Sequence, residues 1–169
     1  MSKRALKEYV SELPKKELEV QLLDLYDRFP LVKEYYDFIF NPKEDKLLQA
    51  AKVKIANEYF PLRRKRPKMR RSVAQKFIKH YLKLGMDSNL IADLMLYNIE
   101  IAQSFSLEKK VADSFYKSMV NSFDQAVVFI SQHNILVEFK KRIVTIFQNV
   151  EKQEWPNSED FSRVLDKID

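Results

Sequence analysis

Cysteine is absent from this 169-residue chain, glycine and tryptophan occur once each, and histidine occurs twice. Without cysteine there is no disulfide, no thiol nucleophile and no zinc site built on thiolates. A dinucleotide-binding fingerprint needs three glycines and a phosphate-cradling P-loop needs two, so one glycine excludes both. The same scarcity argues against a sheet of tight hairpins, whose two-residue turns depend on positive φ. Long apolar runs are missing as well. The longest, Ala126–Val127–Val128–Phe129–Ile130, falls far short of the ~20 residues that span a bilayer, and no membrane association is expected. Lys3, Arg4, Lys7 and Glu8 put charge where a signal peptide would carry its apolar stretch. The chain therefore reads as cytoplasmic.

What is present suits a folded chain: 46% of the residues are apolar, with 12 Phe and 8 Tyr, too apolar for disorder. A chain of this length buries roughly 70% of its unfolded surface, and a single domain over residues 1–169 is expected. The apolar spacing is helical nearly throughout. Leu6, Tyr9, Val10 and Leu13 open it, Leu18, Leu22, Leu25, Tyr26 and Phe29 continue it, and Val32, Tyr35, Tyr36 and Ile39 form a third short stripe. Pro14 and Pro30 stand where helices can begin, since the first turn tolerates a missing N–H. Asn41-Pro42-Lys43-Glu44 reads as a capping box for a helix carrying Leu48, Ala51, Ile55 and Tyr59 and stopped by Pro61. Residues 61–69 form a basic connector without apolar spacing. From about Arg70 to Leu84 runs the next helix, with Gly85 placed as its C-terminal cap. Asp87 or Ser88 can cap a helix reaching about Phe105, and Ser106 can cap another that carries Ala112 through Ile130. Leu136 to Val150 and Phe161 to Ile168 complete eight or nine helices and no strand. The fold class is all-α, either an irregular bundle or a degenerate HEAT- or armadillo-like repeat. Turn-to-helix junctions near Asn41, Met86 and Asn134 recur at roughly the 40 to 47 residues of such repeats, without a recurring residue pattern.

Three stretches together, Asn41-Pro42-Lys43-Glu44-Asp45-Lys46, Arg70-Arg71-Ser72-Val73-Ala74-Gln75-Lys76 and Leu96-Tyr97-Asn98-Ile99-Glu100-Ile101-Ala102-Gln103, make the chain resemble a family of small bacterial helical proteins that carries only a domain-of-unknown-function label. The resemblance covers nearly the whole length. It implies a helical fold and a bacterial cytoplasm. It implies no activity and carries over no functional residue.

Charge is unevenly placed. Between Glu58 and Asp87 no acidic residue occurs, and those 28 positions hold ten basic ones: Arg63, Arg64, Lys65, Arg66, Lys68, Arg70, Arg71, Lys76, Lys79 and Lys83. Elsewhere 20 basic residues face 24 acidic ones. The net +6 is thus one basic segment on a mildly acidic body; such a segment can bind a polyanion by neutralising phosphates and releasing counterions, and the alternative is a solvated connector balanced by the body's own acidic residues. Lys76, Lys79 and Lys83 are spaced i, i+3, i+7 and share one helix face. Five of the seven charges from Arg63 to Arg71 are arginines, which grip phosphate bidentately. Lying in a polar connector and a first turn, these arginines are expected to contribute little to stability. Tyr59, Phe60, Phe77 and Tyr81 flank the segment at helical spacing that favours core packing over base stacking.

The helix from 88 to 105 is apolar on most sides, the mark of a central helix. Its polar atoms form a line, Asp93, Tyr97, Glu100 and Ser104 at i, i+4, i+7 and i+11, and two such carboxylates ordinarily pair with Lys or Arg from a neighbouring helix or face a strip of solvent. His80 could approach Glu100 if the flanking helices form an antiparallel pair, which gives a candidate polar cluster of His80, Asp93, Tyr97 and Glu100. Di-metal bundles use Glu-x-x-His motifs, and the chain has none. Neither metal nor cofactor nor catalysis is expected. The expected function is a non-enzymatic helical module whose segment 63–83 binds RNA or single-stranded nucleic acid; the alternative is a protein–protein scaffold with an acidic partner.

Overall fold

The computed structural model describes residues 2–63 and 66–168, and Arg64 and Lys65 of the basic segment lie outside the described residues. The chain is all-α, with nine helices and no strand among the described residues. It divides into two compact units, Met1–Lys43 and Glu44–Asp169.

The first unit holds α1 (Lys3–Glu12), α2 (Lys15–Arg28) and α3 (Pro30–Phe40). Ser2 caps α1 by accepting from the Ala5 N–H. Pro14 immediately precedes α2 and Pro30 occupies the first turn of α3, where neither costs a helical hydrogen bond. The one-residue connection at Phe29 folds α2 and α3 into an antiparallel hairpin, and the Tyr26 hydroxyl donates to Asp37 at 2.9 Å. None of the described residues in this unit is buried.

The second unit contains the core. Its elements are α4 (Glu44–Tyr59), α5 (Arg71–Leu84), α6 (Ser88–Glu108), α7 (Asp113–Gln132), α8 (Leu136–Lys152) and α9 (Ser158–Leu165). Ten residues of α6 are buried, Leu94, Leu96 and Ile99 completely, and each such side chain contributes about 1.5–3 kcal/mol by leaving water. A helix apolar on most sides has to be surrounded. α4, α5, α7 and α8 surround it.

The helices stack as antiparallel pairs. Leu47 O on α4 accepts from the Tyr81 hydroxyl on α5, and Glu58 at the other end of α4 meets Arg70, so α4 and α5 run antiparallel. α4 and α6 run parallel: the Glu44 carboxylate accepts from the Asp87 N–H at their starts, and Tyr59 and Phe60 face Phe105 at their ends. α8 continues that row, with Gln103 Nε2 donating to Ile146 O and Ser106 beside Gln153. α7 and α9 form a second parallel row, joined by Phe123 on Phe161 and by Asn157 Nδ2 donating to Tyr116 O. Among the described residues of this unit, every substantial packing contact joins helices one or two apart in chain order. α4, α6 and α8, which start at 44, 88 and 136, thus lie side by side in one direction within an all-α bundle.

Two boundaries differ from expectation. Ser106 does not cap α7. It lies inside α6, where its hydroxyl reaches Gln103 O at 2.9 Å, the back-bonding that lets a serine remain helical. Asn41 to Glu44 do not form a capping box: α4 begins at Glu44, Asn41 ends α3 as its C-terminal cap, and the Glu44 carboxylate accepts from the Asp87 N–H at 2.9 Å. Gly85 is the C-terminal cap of α5 as expected, at φ 77°, with open space around its missing Cβ. Since the strain there is backbone strain alone, Gly85→Ala should cost about 1 kcal/mol and Gly85→Asn less, read from urea unfolding midpoints.

Candidate nucleic-acid interface

The connector is anchored by a residue at its threshold. Glu58, buried in the last turn of α4, offers its backbone oxygen to the Lys68 and Met69 N–H groups, both at 3.0 Å. Its carboxylate receives Arg70 bidentately, Nε at 2.8 Å and Nη2 at 2.9 Å. Those two bonds and the Glu58 charge raise the Arg70 guanidinium above its ordinary range. Arg71, the first residue of α5, donates from Nε to Ser122 Oγ at 2.7 Å and from Nη2 to Gln125 Oε1 at 3.0 Å, crossing to α7. Burial lowers its pKa, with the Tyr59 hydroxyl acting in the opposite sense. Arg70 and Arg71 therefore tie the connector to α4 and α7. The expectation that they contribute little to stability is corrected by these bonds, which sequence spacing cannot reveal.

The other described cations face water. Arg63, Arg66 and Lys68 in the connector are exposed, as are Lys76, Lys79 and Lys83 on α5. Among the described residues none of these six makes an ion pair. At 1.5 Å per residue the three lysines span about 10 Å of helix on one face. Lys54 of α4 joins them, its ammonium 5.5 Å from the Phe77 ring centroid. Tyr59 and Tyr81 are buried in the core, while Phe60 and Phe77 are half-buried at its edge.

The polar line of α6 meets a cation from each side. Arg142 of α8 donates from Nε and Nη2 to both Glu100 oxygens, at 2.5 and 2.7 Å, and from Nη1 to Asp93 Oδ1 at 2.5 Å. Lys52 of α4 takes the other Asp93 oxygen at 2.5 Å and sits 5.2 Å above the Tyr97 ring. Burial pulls Arg142 down, but its hydrogen bonds to Glu100 and Asp93 and their charges outweigh that and raise its pKa. Asp93, Tyr97 and Glu100 thus come together as a ladder across α4, α6 and α8. The cations that satisfy the two carboxylates are Arg142 and Lys52, and His80 instead has its ring against its neighbour Tyr81 on α5. Among the described residues no group of three or more His, Cys, Asp or Glu is placed to hold a metal ion.

A groove of about 440 Å³ opens beside this ladder, lined by Lys52, Val53, Ala56, Phe60, Leu62 and Tyr97 among others. Leu62 is 89% exposed and Val53 58%. No helix among the described residues is long and apolar enough to cross a membrane.

A family model described as a family of unknown function, DUF6155, matches residues 1–169. The chain belongs to that family. No curated protein and no solved structure matches the chain. Glu58, Ser122, Gln125, Lys52 and Arg142 are the residues that sequence reasoning did not single out. Only Arg142 had a signal, as a lone arginine on the edge of the apolar stripe Phe139, Ile143 and Ile146.

Arg142→Met should lower the unfolding free energy by about 2 kcal/mol, between the values typical of exposed and buried pairs, because both carboxylates lose their main partner. Urea unfolding measures it, and a change below about 0.5 kcal/mol would deny the ladder a structural role. Burial pushes the Tyr59 hydroxyl up to about 12. An unfolded tyrosine ionises near pH 10. Between those values the unfolded chain releases a proton that the folded one keeps, so this stability is full below pH 10 and is lost as pH rises toward 12. Comparing unfolding at pH 9 and 11, the loss should be about 1 kcal/mol smaller in Tyr59→Phe than in the unmodified chain.

Proposed function

We propose that the chain is a non-enzymatic cytoplasmic binding module that holds RNA or another single-stranded nucleic acid on α5, the flank of α4 and the connector. The observation that carries this reading is the row Lys76, Lys79 and Lys83, exposed on one face of α5 and without ion pairs among the described residues. Arg63, Arg66, Lys68 and Lys54 extend it. The contacts are to phosphate. α5 offers lysines on its exposed face and no arginine or amide aimed at a base edge, since Arg71 and Gln75 both bond Gln125. Nor does the polar line of α6 offer an acid or base for chemistry, with Asp93 and Glu100 both engaged by cations. The groove holding the exposed Val53 and Leu62 favours a second reading, a scaffold for an acidic protein segment with apolar anchors.

Fluorescence anisotropy with a labelled RNA strand over a salt series tests the reading. With about five phosphates engaged, log K should fall against log salt with a slope near −3.5, and replacing Lys76, Lys79 and Lys83 with Gln should make that slope shallower by about 2. All sequences should weaken alike. The triple variant should unfold within about 0.5 kcal/mol of the parent, because its side chains are exposed, whereas Arg71→Gln should cost about 1 kcal/mol while changing the slope less. Unchanged RNA affinity in the triple variant, or a flat salt response in the parent, would refute the nucleic-acid reading.

A further inference from the structure

The first unit presents an anomaly that the basic surface does not explain. Twelve of its large apolar side chains, from Leu6 to Phe40, are at least 38% exposed, and none of its described residues is buried. A unit of 43 residues lies near the size below which chains fold only with a staple or by association. Here cysteine is absent, so no disulfide supplies the staple. Among the exposed apolar side chains, Leu22, Leu23 and Phe40 share one face of the α2–α3 hairpin.

Its shape suggests what covers it. Between α2 and α3 lies a groove of about 350 Å³, lined by Leu22, Leu23, Tyr26, Tyr36, Asp37 and Phe40. Its one carboxylate, Asp37, already accepts from the Tyr26 hydroxyl, so the remainder of the lining is chiefly apolar. Phe40, on its rim, is 81% exposed and Leu23 63%. One patch therefore carries both a protruding ring and a recess for a ring, which is what a two-fold symmetric contact requires of a single surface.

Charge selects the same occupant. Residues 1–43 hold eight basic and eight acidic side chains, so the net +6 belongs wholly to residues 44–169. A neutral face does not repel its own copy and gives no advantage to a strongly charged partner. Along α2 the charges pair within the helix, Lys15 with Glu19 and Arg28 with Asp24, so its ends carry little uncompensated charge of either sign.

We infer that a second copy of this chain docks on the α2–α3 hairpin, with Phe40 of each copy entering the groove of the other and four helices enclosing a shared apolar core. Sedimentation velocity on the full chain at micromolar and higher concentrations should give twice the chain mass. Leu23→Glu combined with Phe40→Glu should return it to monomer. Because that variant could also unfold the hairpin, a second measurement keeps the structure native. The chain lacks cysteine, so a Leu23→Cys chain mixed with a Phe40→Cys chain and oxidised should form the mixed disulfide dimer readily. Either one mixed with Val137→Cys, 91% exposed on α8 of the other unit, should do so several-fold more slowly. A parent that sediments as a monomer at every concentration overturns the inference and leaves the hairpin to another partner. Crosslinking no faster than with the Val137→Cys control overturns it as well.

Discussion

Helix α6 has to be enclosed, and the whole of the second unit follows from that requirement. Leu94, Leu96 and Ile99 point to different sides of the helix and are all fully buried. One neighbour cannot cover them, so α4, α5, α7 and α8 are drawn around a single axis. Apolar packing alone would leave those neighbours free to slide, because dispersion is nondirectional. The polar line sets the register. Arg142 can reach Asp93 and Glu100 together only if α8 lies at one height along α6, and Lys52 fixes α4 through the same Asp93. Bidentate guanidinium–carboxylate geometry is directional where leucine against leucine is not.

Much of this architecture can be read from the sequence, because the signals for helices are local. Pro30 and Pro61 bound helices through their missing N–H, Gly85 ends α5 by taking positive φ, and apolar residues on most sides of the helix between Leu90 and Ala102 announce a central helix. Nonlocal facts are another matter. Ten basic residues between Glu58 and Asp87 look alike in the sequence, yet Arg70 closes on buried Glu58 and Arg71 on Ser122 and Gln125, while Lys76, Lys79 and Lys83 remain in water. Arg71 and its partners are separated by about fifty positions, and no spacing rule connects them. The pairing of Asp93 and Glu100 with cations was expected from their setting in an apolar helix, but the identity of Arg142 depends on how α8 stacks. His80 was placed near Glu100 by the antiparallel turn at Gly85, a constraint that fixes the backbone path and not the direction of a side chain.

The first unit shows the limit of periodicity most plainly. Leu18, Leu22, Leu25 and Tyr26 recur at helical spacing as regularly as the stripe of α5, and the sequence gives both the same reading. α5 buries Ala74, Ile78, Tyr81 and Leu84, whereas α2 buries nothing. An amphipathic stripe states that a face gains by leaving water. It does not state what will cover that face, and a second chain satisfies it as well as a second helix of the same chain.

The separation of charge between the two units bears on how such a chain can act. A surface that neutralises phosphates needs cations that no internal carboxylate has claimed, and a unit carrying a net +6 resists meeting its own copy through that surface. Residues 1–43, whose eight basic and eight acidic side chains balance, are free of that repulsion. Were two copies to pair through the neutral unit while the lysine row took up a polyanion, the two events would differ in what drives them. The same arithmetic makes salt act unequally on the two events. Counterion release weakens the phosphate contacts steeply with ionic strength, while an apolar interface with balanced charges responds to it weakly. On the two proposals together, raising the salt would release a bound polyanion before it separated two paired copies.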